Sequence, residues 1–252
     1  MRVKPPERPE DITGQLVADL QAALGGELIS VTLYGSAAAG RYRPGVSDLN
    51  LLVVAGQAAA DRPGLLAAFA RKWAPARVAT PLVLTPAFLA GSRDTFPVEL
   101  LAMAGARRVL SGPDPLAELA IDPAHLRLQL ERELKAKLVT LRTRLIAAAG
   151  DDNALKRLTN EALPAFGALF QALARLESGQ HPPDPVRALL LLAAQGLKLE
   201  AFAELMDLRQ QDPKGLKGGV LMSLWEAALA QLAALCQHVD QIQAAPDADE
   251  TT

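Results

Sequence analysis

At 252 residues, half of them apolar, the chain is long enough to bury one large core or two ordinary ones, which excludes a largely disordered protein. A formal charge of −2 leaves none of the basic footprint that general nucleic-acid binding requires. The single cysteine, Cys236, excludes a disulfide framework and falls in an apolar helical pattern with Leu232, Leu235 and Val239, the setting of a small buried hydrophobe.

The first residues, MRVKPPERPE, lack the apolar stretch of a secretory signal. No uninterrupted apolar run approaches the ~20 residues of a spanning helix, so the expectation is a cytoplasmic protein with no membrane partner. Ile12, Leu16, Leu20 and Leu24 recur every four residues as one helical stripe, ended by Gly25-Gly26. Two β-type runs follow, Val31–Tyr34 and Leu49–Val54, separated by a Gly- and Ser-containing segment. Asp61 is placed to cap a second helix that buries Leu65, Leu66, Phe69 and Trp73 and stops at Pro75. Two segments compete for the third strand, Ala79–Thr85 and Phe96–Met103, with a further strand or turn at Arg107–Leu110.

From Pro123 the composition turns to Ala, Leu, Gln, Arg and Glu, and no convincing strand follows. The leucines from Leu126 to Leu145 mark one long helix, broken at Gly150-Asp-Asp. A second helix spans about Asn153–Glu177, with Pro164 kinking or dividing it. HPPDP at 181–185 is a rigid loop, Val186–Leu197 is strongly apolar, and Leu199–Leu208 is a short helix or bend. Asp212–Gly219 reads as a loop, Val220–Ile242 as the last helix, and Pro246–Thr252 as a frayed end. The expected fold class is therefore α+β: a mixed sheet with flanking helices over residues 1–118, then an all-α bundle over 119–252.

The chemistry concentrates at 34–54, YGSAAAGRYRPGVSDLNLLVV. Gly35 lets a backbone or a phosphate approach closely, and the Ser36 hydroxyl with neighbouring N–H groups can donate to phosphate oxygens. Asp48 and Asn50 are two apart on a strand, so both side chains point to one face and can share a hard cation through oxygen. Arg41 and Arg43 lie in the loop above, where they can offset phosphate charge or be solvated. On the long helix, Glu131/Lys135 and Glu133/Lys137 make i,i+4 pairs, for which surface pairing is the default.

Gly-Ser, a spacer of about ten residues and an acidic residue opening an apolar strand resemble the nucleotidyltransferase superfamily of DNA polymerase beta, in particular its aminoglycoside, kanamycin and MNT types. The likeness departs at Asn50, where the family pattern has a second Asp. It implies Gly35 and Ser36 holding the phosphates of an NTP, ATP foremost, with Arg41 and Lys135 or Lys137 as auxiliary phosphate contacts. It further implies Asp48 and Asn50 as ligands of Mg²⁺, and a third carboxylate beside them as general base, assigned to Glu99. The implied reaction moves a nucleoside monophosphate to a hydroxyl acceptor, a small molecule or a protein. Asn50 keeps open the alternative of a nucleotide-binding or protein-interaction module without turnover, and the helical half leaves open a second copy of the chain or a separate helical protein as partner. The Arg-then-His signature of the ribonuclease bundles that accompany MNT domains finds only Arg175 and His181, and Leu176 and the Pro-rich loop argue against it.

Overall fold

The computed structural model describes residues 3–210 and 218–242. The chain divides into two compact units, one formed by Met1–Arg93 with Leu100–Ala120, the other by Asp94–Glu99 with Ile121–Thr252.

The first unit is built on a four-stranded sheet. Helix α1 (Glu10–Leu24) leads into β1 (Leu28–Tyr34), and β2 (Asn50–Ala55) returns antiparallel to it, Leu33 opposite Leu51 and Tyr34 opposite Asn50. The short helices α2 (Gln57–Ala60) and α3 (Ala67–Trp73) precede β3 (Leu82–Leu84), which runs parallel to β2. Then come α4 (Pro86–Ala90), α5 (Pro97–Gly105) and β4 (Arg107–Ser111), the last antiparallel to β1. The strand order is β3-β2-β1-β4, a mixed sheet of the expected class. Period-2 alternation aims Val31, Leu33, Leu51, Val53 and Ala55 at one face, where they meet Leu16, Leu20 and Leu24 of α1 and Phe69 and Trp73 of α3 in one buried cluster. Asp19 of α1 closes this layer by accepting a hydrogen bond from the Trp73 indole N–H at 2.8 Å. β3 lies at the sheet edge, which explains how Pro81, with no N–H to donate, is tolerated just before it.

Two sequence expectations fail here. Phe96–Met103 is not a strand: Pro97–Gly105 is helical, with Pro97 at its first position and Glu99 in its first turn, both favourable at a helix start. The Val98 N–H, an orphan donor of that first turn, is met by the Oε1 of buried Gln129 at 2.8 Å. Asp61 does not cap a following helix. It ends α2 and accepts from the Gln57 side chain at 2.8 Å, and a 3₁₀ turn over Pro63–Leu66 opens α3 instead.

From Pro123 on, the second unit has no strand among its described residues and is built of α6 (Pro123–Ala148), α7 (Asp152–Ser178), α8 (Pro185–Ala194), α9 (Glu200–Gln210) and α10 (Gly218–Gln241). Side-chain caps fix three starts, Asp122 for α6, Asp151 for α7 and Asp184 for α8. α7 runs unbroken through Pro164. Phe166, Phe170, Phe202 and Trp225 make the aromatic centre of this unit, with neighbouring ring centroids 4.9–6.5 Å apart. The Trp225 indole N–H donates to Thr159 Oγ1 at 3.0 Å, and that hydroxyl donates on to the Leu155 carbonyl. Gly167 is needed where α7 meets α8, since a Cβ there would stand 2.8 Å from Pro185 Cγ. A groove of about 500 Å³ lies between α8 and α9, walled by Leu189, Leu190, Ala193, Leu199 and Ala203.

No uninterrupted apolar run of spanning length occurs, as expected, but the last helix is long and apolar overall despite Glu226. Gly219–Gln241 could cross a membrane by length and composition alone, with a mean hydropathy of 1.5 over its most apolar window. Its apolar side packs inside the unit, where Leu221, Trp225, Ala228, Leu232, Leu235, Cys236 and Val239 are buried. Burial among these residues raises the Cys236 thiol above its usual range. The loop expected at Asp212–Gly219 falls mostly outside the described residues, and the frayed end at Pro246–Thr252 wholly so.

Candidate functional site

Because β1 and β2 are antiparallel with Tyr34 opposite Asn50, the residues that leave β1 lie beside those that enter β2. The chain leaves β1 at Gly35 with φ +80°, a conformation that a side chain would oppose by ~1–2 kcal/mol. The Gly35 N–H is fixed to the Ala106 carbonyl at 2.9 Å. A tight turn follows, in which Ala39 N–H donates to the Gly35 carbonyl and Arg41 N–H to the Ser36 carbonyl. The N–H groups of Ser36, Ala37 and Ala38 donate to no backbone carbonyl among the described residues. A left-handed residue followed by consecutive N–H groups with no backbone partner is a backbone form that can receive an anion, and half-buried Ser36 stands at its start.

The loop then closes on itself: Ser47 Oγ accepts from the Arg43 N–H at 3.0 Å while the Ser47 N–H returns to the Arg43 carbonyl at 2.9 Å. Tyr42 anchors it by donating from its hydroxyl to the Pro6 carbonyl. This delivers Asp48 and Asn50 to the strand entry. Asn50 stands over the turn, its Nδ2 3.3 Å from where a Cβ on Gly35 would be. Asp48 is about half exposed and is ion-paired with Arg77, its Oδ1 2.8 Å from Nη2.

Arg77 is a residue that the sequence did not single out. It follows the 3₁₀ turn Ala74–Ala76 and adopts φ 60°, ψ 31°, the one positive φ outside glycine among the described residues. Its carbonyl accepts from the Leu49 N–H at 2.9 Å, and Ala79 N–H donates to the Leu49 carbonyl, so a parallel bridge binds this segment to the strand entry. Its Nε is buried with no hydrogen-bond partner among the described residues. Only the left-handed conformation of a non-glycine residue in a turn could have signalled it, and that is not visible in sequence.

The donor set can now be set against Mg²⁺, which wants several hard oxygens in near-octahedral array. Asp48 offers a carboxylate already engaged by a guanidinium, and Asn50 offers an amide whose nitrogen faces Gly35. β3 (Leu82–Leu84) and β4 (Arg107–Ser111) carry no acid. Among the described residues no group of three or more His, Cys, Asp or Glu side chains could hold a metal. These residues do not fit the cation.

The other residues named from the sequence belong each to its own unit. Glu99 sits on α5, where Gln129 Nε2 donates to its Oε2 at 2.7 Å; the argument for it as a strand carboxylate lapses with the strand. Lys135 donates to Glu131 at 2.6 Å and to Asp240 at 3.2 Å within the helical unit, and Lys137 pairs with Glu133 at 3.8 Å, the surface pairs that the spacing suggested. Glu131 first, then Asp240, raises the Lys135 ammonium above its ordinary pKa. Arg41 is exposed in the loop. Arg175 donates to the Gly179 carbonyl at the end of α7, and among the described residues both ring nitrogens of His181 are buried without a hydrogen-bond partner.

No protein-family profile and no curated protein sequence matches the chain. Among solved structures it is similar to the crystal structure of spectinomycin adenyltransferase AAD(9) from Enterococcus faecialis with ATP and spectinomycin, at 13% identity and a TM-score of 0.48, over 87% of this chain and 99% of that one.

Proposed function

We propose that the sheet-bearing unit binds the phosphates of a nucleoside triphosphate at the turn 35–41, as a binding module rather than as a metal-assisted transferase. One observation carries the reading: left-handed Gly35 followed by the N–H groups of Ser36, Ala37 and Ala38, which have no backbone partner among the described residues. The sequence likeness of 34–54 to nucleotidyltransferases supports a nucleotide as the source of the phosphate, and ATP is the first to test. The poor fit of Asp48 and Asn50 to Mg²⁺, with no acid on β3 or β4, argues against in-line transfer to a hydroxyl acceptor.

Isothermal calorimetry with ATP, ADP and adenosine tests this. Affinity should fall in that order, and Ser36→Ala should weaken ATP binding by about tenfold, the loss of one hydrogen bond to a charged acceptor. Adenosine binding as tightly as ATP would place recognition outside the turn and sink the reading. Radiolabel appearing on a hydroxyl acceptor incubated with α-labelled ATP would instead favour the transferase reading.

A further inference from the structure

Asp48 and Asn50 stand at the strand-end surface where β2 begins, Asn50 beside Gly35 at the end of β1, and the charge facing Asp48 comes from the protein itself. Arg77 Nη2 lies 2.8 Å from Asp48 Oδ1, and both side chains keep a solvent-facing part, 40% for Arg77 and 54% for Asp48. We propose that the Arg77 guanidinium takes the place of a divalent cation at this surface, so that the triphosphate bound at the turn 35–41 is neutralised by Arg77 and binds without metal. The inference rests on the phosphate-binding reading above and adds to it the identity of the counter-charge.

Three independent features point to Arg77. Its backbone is held in a left-handed conformation that disfavours side chains, an arrangement that persists only where the surroundings enforce it. Here the enforcement is visible: the carbonyl of Arg77 and the amide of Ala79 bracket Leu49, the residue between Asp48 and Asn50. The guanidinium is therefore delivered to the strand entry by the backbone rather than by a long flexible reach. Its donors are also incompletely used. A guanidinium has five N–H donors in a planar fork suited to carboxylate or phosphate; among the described residues the buried Nε of Arg77 has no partner, and 40% of the side chain stays open to solvent. Finally, the charge of Arg77 reaches the loop above the site, where it acts to lower the Tyr42 phenol's pKa against the larger upward effect of burial.

The pair with Asp48 is half-exposed, so it competes only weakly for Arg77, which the backbone already positions, and a phosphate can take the fork. Asn50 is consistent with this. A second carboxylate at 50 would add a negative charge facing the incoming triphosphate, whereas the amide adds none.

Titration of the full chain with ATP, once in millimolar magnesium and once in EDTA, tests the inference. The dissociation constants should agree within about twofold, and Arg77→Met should weaken binding in EDTA by about tenfold or more. Arg77→Lys keeps the charge and loses the fork, and should fall between the two. Asp48→Asn, which removes a negative charge and releases Arg77, should tighten metal-free binding by several-fold. Wild-type binding that appears only with magnesium overturns the inference and leaves the phosphate-binding reading standing. Failure of Asp48→Asn to tighten binding also overturns it. Absence of ATP binding in both buffers removes the reading and the inference together.

Discussion

Gly35 and Gly40 offer a matched pair of perturbations at the candidate site. Both have positive φ, +80° and +72°, so alanine at either position meets the left-handed penalty of ~1–2 kcal/mol. They differ in surroundings. A Cβ at Gly40 meets nothing within 4 Å, whereas at Gly35 it lies 3.3 Å from Asn50 Nδ2, the end of a side chain that can yield by a few tenths of an ångström. Gly40→Ala should thus lose about 1–2 kcal/mol, and Gly35→Ala the same plus ~0.5 kcal/mol from displacing Asn50 off its rotamer. At ~2–4 °C per kcal/mol for a chain of this size, the melting temperature falls by roughly 2–8 °C for Gly40→Ala and slightly more for Gly35→Ala. Urea denaturation of each, and of Gly35→Ala in an Asn50→Ala background, separates the two contributions. In that background the excess should vanish while the left-handed penalty stays. An excess that survives removal of the Asn50 side chain, or a Gly35→Ala variant as stable as wild type, would refute the placement of Asn50 over the turn.

Gly112→Ala should be far worse, by more than ~3 kcal/mol, because φ is +76° and the new Cβ would stand 2.1 Å from the Ile29 carbonyl oxygen, which is backbone and cannot step aside; soluble yield and thermal melting report it. In the helical unit, Trp225→Phe removes an indole that is fully buried and donates to Thr159, and should lower the urea-derived stability by about 1–3 kcal/mol. Asp114 has its carboxyl held below the usual range chiefly by the hydrogen bonds from Arg107. A folded value below the unfolded one means stabilisation that is complete above the ordinary carboxylate range and is lost as pH falls through the folded value. The stability gap between wild type and Asp114→Asn should therefore close on acidification, and a gap unchanged down to about pH 2 contradicts the pairing. His181 behaves likewise at higher pH: burial first, then Arg175, opposes its protonation. Its contribution is present above the ordinary imidazole value and is lost as pH falls through the depressed folded value, so His181→Phe should flatten the decline in melting temperature below about pH 6.5.

Where hydrophobic period and length agreed, sequence and structure agree. The four-residue stripe of α1 and the leucines of α6 had one reading, and the β-branched runs at Val31 and Leu49 became paired strands. FPVELLAM was ambiguous because it is short and apolar, and buried helices and buried strands look alike over eight residues. Pro97 followed by Glu99 was the helix-start signal that should have decided it. At the site, the turn residues Gly35 and Ser36 and the adjacency of Asp48 to Asn50 were readable from spacing. Arg77 was not, because its role depends on a left-handed backbone and on a parallel bridge to a strand entry 29 residues earlier, neither of which leaves a local pattern. Glu99 was drawn to the site only by the strand assignment that α5 replaces.

The central claim, that phosphate is held by the turn after β1, is tested most directly by the backbone amide resonances of Ser36, Ala37 and Ala38 in an isotope-labelled sample titrated with ATP. Those three N–H signals should move together and saturably, with the Arg77 side-chain Nε resonance among those that follow. Saturable shifts confined to the groove between α8 and α9, with Ser36, Ala37 and Ala38 unmoved, would contradict the account.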